Sequence, residues 1–191
     1  IEKGDTKAQT LYYVERLKNA IALLKDKKNT TQAEDENVLK YMEDLKRVAS
    51  DLGETKFFYQ AYDIVQSYYY IHGKLVHTME LVQDMREQAV ARKEPYGIWM
   101  GNRYLISLYI AQNDYISAKK YIQEAIRVHE TTDDPAIRKE SATRLYCDMA
   151  DTYPIGNDSV PYFLAKAEAA RKQHMDTLRY EYHHAKLAAF Q

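Results

Sequence analysis

Turn residues and cysteine are scarce in this sequence. Of its 191 residues, 6 are glycine and 4 are proline, whereas a sheet-rich domain usually needs more of both at its turns. This scarcity favours long, uninterrupted helices. Cys147 is the single cysteine, so the chain cannot form an internal disulfide, and no second thiolate is present to build a cysteine metal site.

The sequence also lacks an excess of either charge and any long apolar run. There are 27 basic and 28 acidic residues, which gives a formal net charge of −1, and nucleic-acid-binding segments are typically basic. The apolar run over 105–111 is broken by Ser107 and is far shorter than the ~20 residues that cross a bilayer. We therefore expect no nucleic-acid binding and no membrane contact by this segment. No signal-peptide pattern begins at Ile1 and no helix-ending signal precedes Gln191, so we expect a piece of a longer protein.

Apolar residues recur every three or four positions along most of the chain, which is the period of an amphipathic helix. Breaks in the pattern divide it into about nine helices. The seventh helix is expected between segment 131–135 and loop 154–157, and the ninth from about Thr177. The expected N-terminal signals are Asp5 or Thr6 for the first helix, Pro95 for the fifth, and Asp158 or Ser159 for the eighth. Gly53 and the Asn113-Asp114 pair are the expected stops of the second and fifth.

Helices three to eight form pairs that recur about every 40 residues, which is typical of a helical solenoid. The clearest unit consists of Leu105, Ile106, Tyr109, Tyr115, Ala118, Ile122 and Ala125. Its spacing resembles the tetratricopeptide pattern L-G-x-x-Y followed by Y-x-x-A-x-x-x-F-x-x-A. Comparable sets flank it, namely Tyr62, Val65, Gln66, Tyr69, Leu75, Thr78, Val82 and Met85 before it, and Tyr146, Met149, Ala150, Tyr153, Tyr162, Ala165 and Ala169 after it.

The resemblance to the tetratricopeptide (TPR) family implies an all-α fold: a right-handed α-α superhelix of about nine antiparallel helices in four to five pairs. Small residues at Ala118, Ala125 and Ala165 are expected to let paired helices approach closely. The implied divisions of this one continuous domain are a divergent N-terminal pair over 1–53, TPR-like repeats over 54–93, 94–133 and 134–174, and a further first helix or cap over 175–191.

In TPR proteins the first helix of each pair lines a concave groove, so the resemblance also implies where a ligand would bind. The groove positions carried over to this chain are Gln60, Asp63, Ser67, Tyr70, Arg103, Ser107, Arg144 and Asp151. Amide, hydroxyl, phenol and charged groups together suit the recognition of a protein or peptide. An ordinary solvated surface is the alternative interpretation of the same positions.

The tyrosine-rich repeats, with 157–159 leading into Tyr162, are also similar to the sensor regions of some bacterial two-component histidine kinases. That similarity implies a sensory or interaction module for signal transduction, periplasmic rather than cytoplasmic, with any kinase domain elsewhere in the full-length chain. The first alternative is a cytoplasmic peptide receptor attached to a DNA-binding domain outside this segment.

Residues with catalytic or metal-binding chemistry do not form a recognisable motif. No two histidines have the spacing that places both on one helical face, and Cys147 is expected to be buried in a repeat rather than nucleophilic. The pairs Glu43/Arg47, Glu140/Arg144 and Glu168/Lys172 have the i,i+4 spacing of solvated helical ion pairs. We therefore predict no enzyme activity, no cofactor and no metal for this segment.

Two further alternatives from other classes stay open. A small all-helical enzyme or metal-binding protein would use His129, His174, or the adjacent His183 and His184. A purely structural role would pair exposed solenoid ends into a homodimer.

Overall fold

The protein is described by a computed structural model over residues 3–154 and 156–174. Nine helices and no β-strand occur within these residues. The helices are α1 (Lys3–Ala22), α2 (Gln32–Asp51), α3 (Thr55–Ile71), α4 (Leu75–Arg92), α5 (Pro95–Ala111), α6 (Tyr115–Thr131), α7 (Pro135–Arg138), α8 (Thr143–Asp151) and α9 (Ser159–His174). Consecutive helices pack against each other, which confirms the predicted all-α fold of helix pairs. The expected helix from Thr177 and the division 175–191 lie outside the described residues.

Side-chain caps and left-handed turn residues determine where several helices begin and end. Thr31 and Glu34 form a reciprocal capping box at the start of α2, and Asp114 accepts the backbone N–H of Ser117 at the start of α6. Gly53 and Asn113 have φ angles of 70° and 59° at the predicted stops, a conformation that glycine and asparagine tolerate best. These local signals are therefore confirmed.

Two predicted helix limits are wrong. The first helix begins at Lys3, so Asp5 and Thr6 lie within it instead of capping it. The predicted seventh helix is two helices, α7 and α8, separated at 139–142. In that break the Ser141 hydroxyl accepts the backbone N–H of Thr143 at 3.2 Å and lies 2.6 Å from the Thr143 hydroxyl. Such local bonds satisfy the backbone without a helix and so compete with helix continuation.

The helices group into two compact units that divide within α4, between Met85 and Arg86. The first unit has its core on α1, α2 and α3, where Leu17, Val38, Leu45 and Val65 are fully buried. In α4, Leu75 is 49% exposed, whereas Thr78 is fully buried. The buried face of this helix continues from Thr78 at helical spacing to Val82, Met85 and Ala89.

A hydrogen-bonded network ties the loop before α2 to α3 and to the turn before α4. Asp35 accepts hydrogen bonds from the Tyr68 hydroxyl at 2.7 Å and the Thr30 hydroxyl at 3.0 Å, and forms an ion pair with Lys74. Burial opposes ionisation of Asp35, but these three donors outweigh it and hold the pKa of the carboxyl below its usual range. Burial, with help from Asp35, raises the pKa of Tyr68 to about 12, so the phenol stays a donor.

The second unit has a core built from α6, α8 and α9. Ala118, Ile122 and Ala125 are fully buried, as predicted, and so is Cys147. Small side chains there allow the helix axes to come close. On the surface of α9, Glu168 contacts Lys172 at 3.3 Å as expected.

The predicted inward face of α9 is wrong. Ala165 and Ala169 are exposed, while Ala167 and Ala170 are buried. The inward register follows Phe163, which stacks on Tyr153 with ring centroids 5.8 Å apart, and a stripe that continues from Phe163 at spacings of four and three reaches Ala167 and Ala170.

Gly101 permits a close contact between α4 and α5 in the second unit. A Cβ at this position would lie 2.8 Å from the Cβ of Arg86, which is too short for two carbon atoms. The Arg86 side chain then continues to Asn102, whose Oδ1 accepts its Nε–H at 2.7 Å, and to Glu124 at 2.5 Å. Glycine is thus required here by space and not by backbone conformation.

Surface ion pairs differ in part from the predicted ones. Glu43 pairs with Lys46 and Arg47 with Asp44, both at i,i+3, so the predicted Glu43/Arg47 pair does not form. None of the helices placed by the structure is both long and apolar enough to span a membrane.

Candidate functional site

A cavity of about 170 Å³ lies between α5 and α8 in the second unit. Three of the residues predicted to line a groove, Arg103, Ser107 and Arg144, are in its wall. The full lining is Trp99, Met100, Arg103, Tyr104, Ile106, Ser107, Ser141, Arg144, Leu145 and Asp148. Polar and charged groups thus converge over a largely apolar base, which is the usual composition of a ligand site.

Helix α5 supplies one wall from residues spaced four apart. Trp99, Arg103 and Ser107 lie on one face of the helix because this spacing is close to one turn. The Arg103 guanidinium carbon lies 4.5 Å from the centroid of the Trp99 ring, within the range of a cation–π contact. The Ser107 hydroxyl donates to the Arg103 carbonyl at 3.2 Å. The Trp99 ring therefore holds the Arg103 guanidinium in position within the cavity wall.

Helix α8 supplies the opposite wall and a buried negative charge. Arg144 and Asp148 lie one turn apart, with Nε of Arg144 3.4 Å from Oδ2 of Asp148. Asp148 is only 3% exposed. The Arg144 Nη2 atom also donates to the Ser107 hydroxyl at 3.3 Å. This last contact joins the two walls, so the cavity has a defined width.

The linker before α8 places a second carboxylate beside the cavity. Oε2 of Glu140 lies 3.6 Å from Nη1 of Arg103, and the Glu140 side chain is 48% exposed. The predicted Glu140/Arg144 pair does not form, because Glu140 precedes the start of α8. The Glu140 backbone is held separately, since its carbonyl accepts the Nε2–H of His129 at 2.9 Å. The Glu140 side chain can therefore change partner while its backbone stays in place.

One wall residue has an unused hydrogen-bond donor. The indole nitrogen of Trp99 is buried and has no hydrogen-bond partner among the described residues. Trp99 itself is 4% exposed. A buried donor without an acceptor costs about 1–3 kcal/mol, and most buried polar groups in native proteins have a partner.

Size and charge limit what the cavity can hold. At about 170 Å³ it is below the ~300–1,000 Å³ of typical small-molecule and cofactor sites, and it suits one side chain of a larger ligand. Its lining carries the guanidinium groups of Arg103 and Arg144 against the carboxylate of Asp148. The wall can therefore bind a polar or acidic group while Met100 and Leu145 contact its apolar part.

The remaining predicted groove residues do not line this cavity. Asp151 is the last residue of α8 and is not part of the wall. The other four are on α3 in the first unit, where Gln60, Asp63 and Ser67 are partly buried and Tyr70 is 55% exposed. Gln66 donates to the Ser67 hydroxyl at 2.8 Å. In the tyrosine run before the α3–α4 turn, Tyr68 and Tyr69 are both buried.

Sequence reasoning missed several wall residues that the structure places together. Trp99 precedes the predicted groove residue Arg103 by four positions, and Asp148 follows Arg144 by four. The same helical spacing that selected the two arginines could therefore have found both residues. Ser141 carries no comparable signal, because its position depends on the break between α7 and α8. The same holds for Glu140, which lies beside the wall and contacts Arg103.

Two larger cavities lie elsewhere, and neither has a buried, unpartnered donor among the described residues that line it. One, of about 360 Å³, is lined mainly by residues of α6, α8 and α9 that include Tyr146 and Lys166, and both of these contact Glu130. The other, of about 330 Å³, lies between α1 and α2 in the first unit. No group of three metal-binding side chains gathers anywhere in residues 3–154 and 156–174. His183 and His184 lie outside these residues.

No protein-family model matches the sequence, and no curated protein matches it.

Proposed function

We propose that this protein is a peptide- or protein-binding helical-repeat module of the TPR type, and that a side chain of its ligand enters the cavity between α5 and α8. Binding, without catalysis, is the function that the wall chemistry supports best. The observation that carries the proposal is the convergence of Arg103, Ser107 and Arg144 from two helices, beside the Trp99 ring, in the wall of one cavity.

The size and lining of the cavity explain why a peptide fits better than a cofactor. The cavity volume admits one side chain, and the hydrogen-bond donors in its wall are spread over two helices. An extended or helical ligand would place one residue in the cavity and its neighbours on the exposed parts of Ser107 and Arg144. Aromatic and arginine side chains, as at Trp99 and Arg103, are enriched among the residues that dominate binding energy in protein interfaces.

A random-peptide display selection on the immobilised protein tests the proposal. Selected peptides are then measured against the wild type and against Ser107→Phe, which fills the cavity from its exposed rim without altering the buried core. The matched control is Ser50→Phe, because Ser50 is an exposed serine on α2. We expect Ser107→Phe to lower affinity at least tenfold and Ser50→Phe to leave it unchanged.

Two results would contradict this function. One is a selection that returns no peptide above background. The other is a set of peptides that bind Ser107→Phe as tightly as the wild type, which would place the binding surface elsewhere on the protein.

We further propose that the module is the sensory or interaction region of a bacterial signalling protein such as a histidine kinase. The support is the resemblance of the tyrosine-rich repeats to such sensor regions. Sequencing the full-length gene tests this directly. A transmembrane helix and kinase core in the same chain are expected, and a helix-turn-helix domain would favour the cytoplasmic peptide receptor instead.

A further inference from the structure

We infer that Glu140 occupies the place of a ligand carboxylate, and that the side chain entering the cavity is acidic and displaces Glu140 from Arg103. This inference rests on the proposed binding function and specifies the chemistry of its ligand. The observation that carries it is the position of Arg103. This residue lies in the cavity wall, and its Nη1 atom is 3.6 Å from Oε2 of Glu140.

The charges at this site balance only when Glu140 is counted. Two arginines and one buried aspartate line the cavity, which leaves one positive charge, and Glu140 neutralises it from the linker. A ligand carboxylate in place of Glu140 preserves that balance. A neutral side chain leaves Glu140 on Arg103 and does not compete for this charge, and a basic side chain adds an unbalanced positive charge to the wall.

The two carboxylates differ in how easily they can be exchanged. Asp148 is fixed, because its side chain is only 4% exposed and it lies on the same helix as its partner Arg144. Glu140 has a side chain that is 48% exposed, and its contact with Arg103 is longer than a hydrogen bond. An exposed ion pair of this kind contributes little free energy, so a competing carboxylate can replace it at small cost.

The backbone around Glu140 is suited to such an exchange. The Glu140 carbonyl is held by His129 at 2.9 Å, and its N–H donates to the Ile137 carbonyl at 2.9 Å. Rotation of the Glu140 side chain therefore requires no movement of the linker. Glu140 acts as an internal competitor that lowers the affinity for every acidic ligand and leaves the affinity for other ligands unaffected.

Two capped pentapeptides test this exchange, one with a central glutamate between alanines and one with glutamine in its place. Binding is followed by NMR from the indole N–H resonance of Trp99, the single tryptophan of the chain. We expect Glu140→Gln to bind the glutamate peptide roughly two- to five-fold more tightly than the wild type does. Its affinity for the glutamine peptide should not change.

Two further variants complete the design. Arg103→Gln should abolish the preference for glutamate over glutamine, since it removes the group for which the two carboxylates compete. Glu43→Gln is the matched control, because Glu43 is an exposed glutamate that pairs with Lys46 in the first unit, and it should leave both affinities at the wild-type value.

The inference is overturned if Glu140→Gln fails to tighten binding of the glutamate peptide, or if neither the wild type nor Glu140→Gln prefers glutamate. Either failure is distinguishable from failure of the proposed function. If display selection yields peptides without acidic residues whose binding is lost in Ser107→Phe, the cavity is a peptide site and only the acidic ligand and the role of Glu140 are wrong.

Discussion

Arg144 and Asp148 form an ion pair one turn apart on α8, with the aspartate almost completely buried and the arginine 40% exposed. A buried carboxylate thus fixes one end of a guanidinium group whose other end reaches Ser107 on α5. In the proposed binding function, the pair orients the Arg144 donor before a ligand arrives, and such preorganisation lowers the entropy cost of binding.

We expect Asp148→Asn to weaken peptide binding by roughly three- to tenfold and to lower the free energy of unfolding by about 1–3 kcal/mol. The neutral amide cannot hold the Arg144 guanidinium in place, and it leaves buried polar groups imperfectly paired. The measurements are peptide titration and urea denaturation. Asp151→Asn, on the same helix but outside the cavity wall, should leave peptide affinity unchanged, and equal losses from the two substitutions would contradict the role of Asp148.

Gly101→Ala should destabilise the protein by about 1–3 kcal/mol. Alanine in a helix interior normally stabilises relative to glycine by roughly 0.5–1 kcal/mol, so the expected sign is the reverse of the usual one. The cause is the 2.8 Å approach between the new Cβ and the Cβ of Arg86. Denaturation curves of the alanine and serine variants would test this, and the larger side chain should cost more. Stabilisation by alanine would show that the close contact is absent.

Tyr68→Phe and Tyr69→Phe form a matched pair of substitutions at neighbouring buried tyrosines. The Tyr68 hydroxyl donates to Asp35 at 2.7 Å, so we expect its loss to cost about 1 kcal/mol or more. The contact of Tyr69 is mainly through its ring, whose centroid lies 5.4 Å from that of Tyr68. Removing the Tyr69 hydroxyl should therefore lower the free energy of unfolding less than removing the Tyr68 hydroxyl. Thermal or urea denaturation gives the comparison. A larger cost at Tyr69 would contradict the network around Asp35.

The contribution of Asp35 to stability should depend on pH. Its pKa is lower in the folded state than in the unfolded state, where it is about 4. Its stabilising effect is therefore fully present above the unfolded pKa and is lost as the pH falls through the folded one. We expect Asp35→Asn to cost roughly 1–3 kcal/mol at pH 7 and less at pH values below about 4. A cost that stays constant or rises in acid would contradict the ion pair with Lys74.

Local signals in the sequence predicted most of the helices. The stops at Gly53 and Asn113 follow from backbone sterics, and the buried Ala118, Ile122 and Ala125 follow from helical periodicity. Both properties depend on residues close in the chain, so they can be recognised without a structure. The interruption at Ser141 and the inward register of α9 depend instead on competition between local hydrogen bonds and on the stacking of Phe163 against Tyr153.

The candidate site was only partly predictable for the same reason. Arg103, Ser107 and Arg144 were selected because the TPR resemblance places them on the first helices of their pairs, and all three line the cavity. Their contacts with Trp99 and Asp148 involve side-chain geometry that periodicity does not reveal. The position of Glu140 depends on where α7 ends, which the sequence pattern predicted incorrectly.

The most direct test of the cavity as the ligand site is the indole N–H resonance of Trp99 during titration with a display-selected peptide. We predict a saturable change in its chemical shift as the ligand enters the cavity beside the Trp99 ring, with the same dissociation constant as the bulk binding measurement, and no change in Ser107→Phe. A peptide that binds tightly while this resonance stays unmoved would contradict ligand entry between α5 and α8.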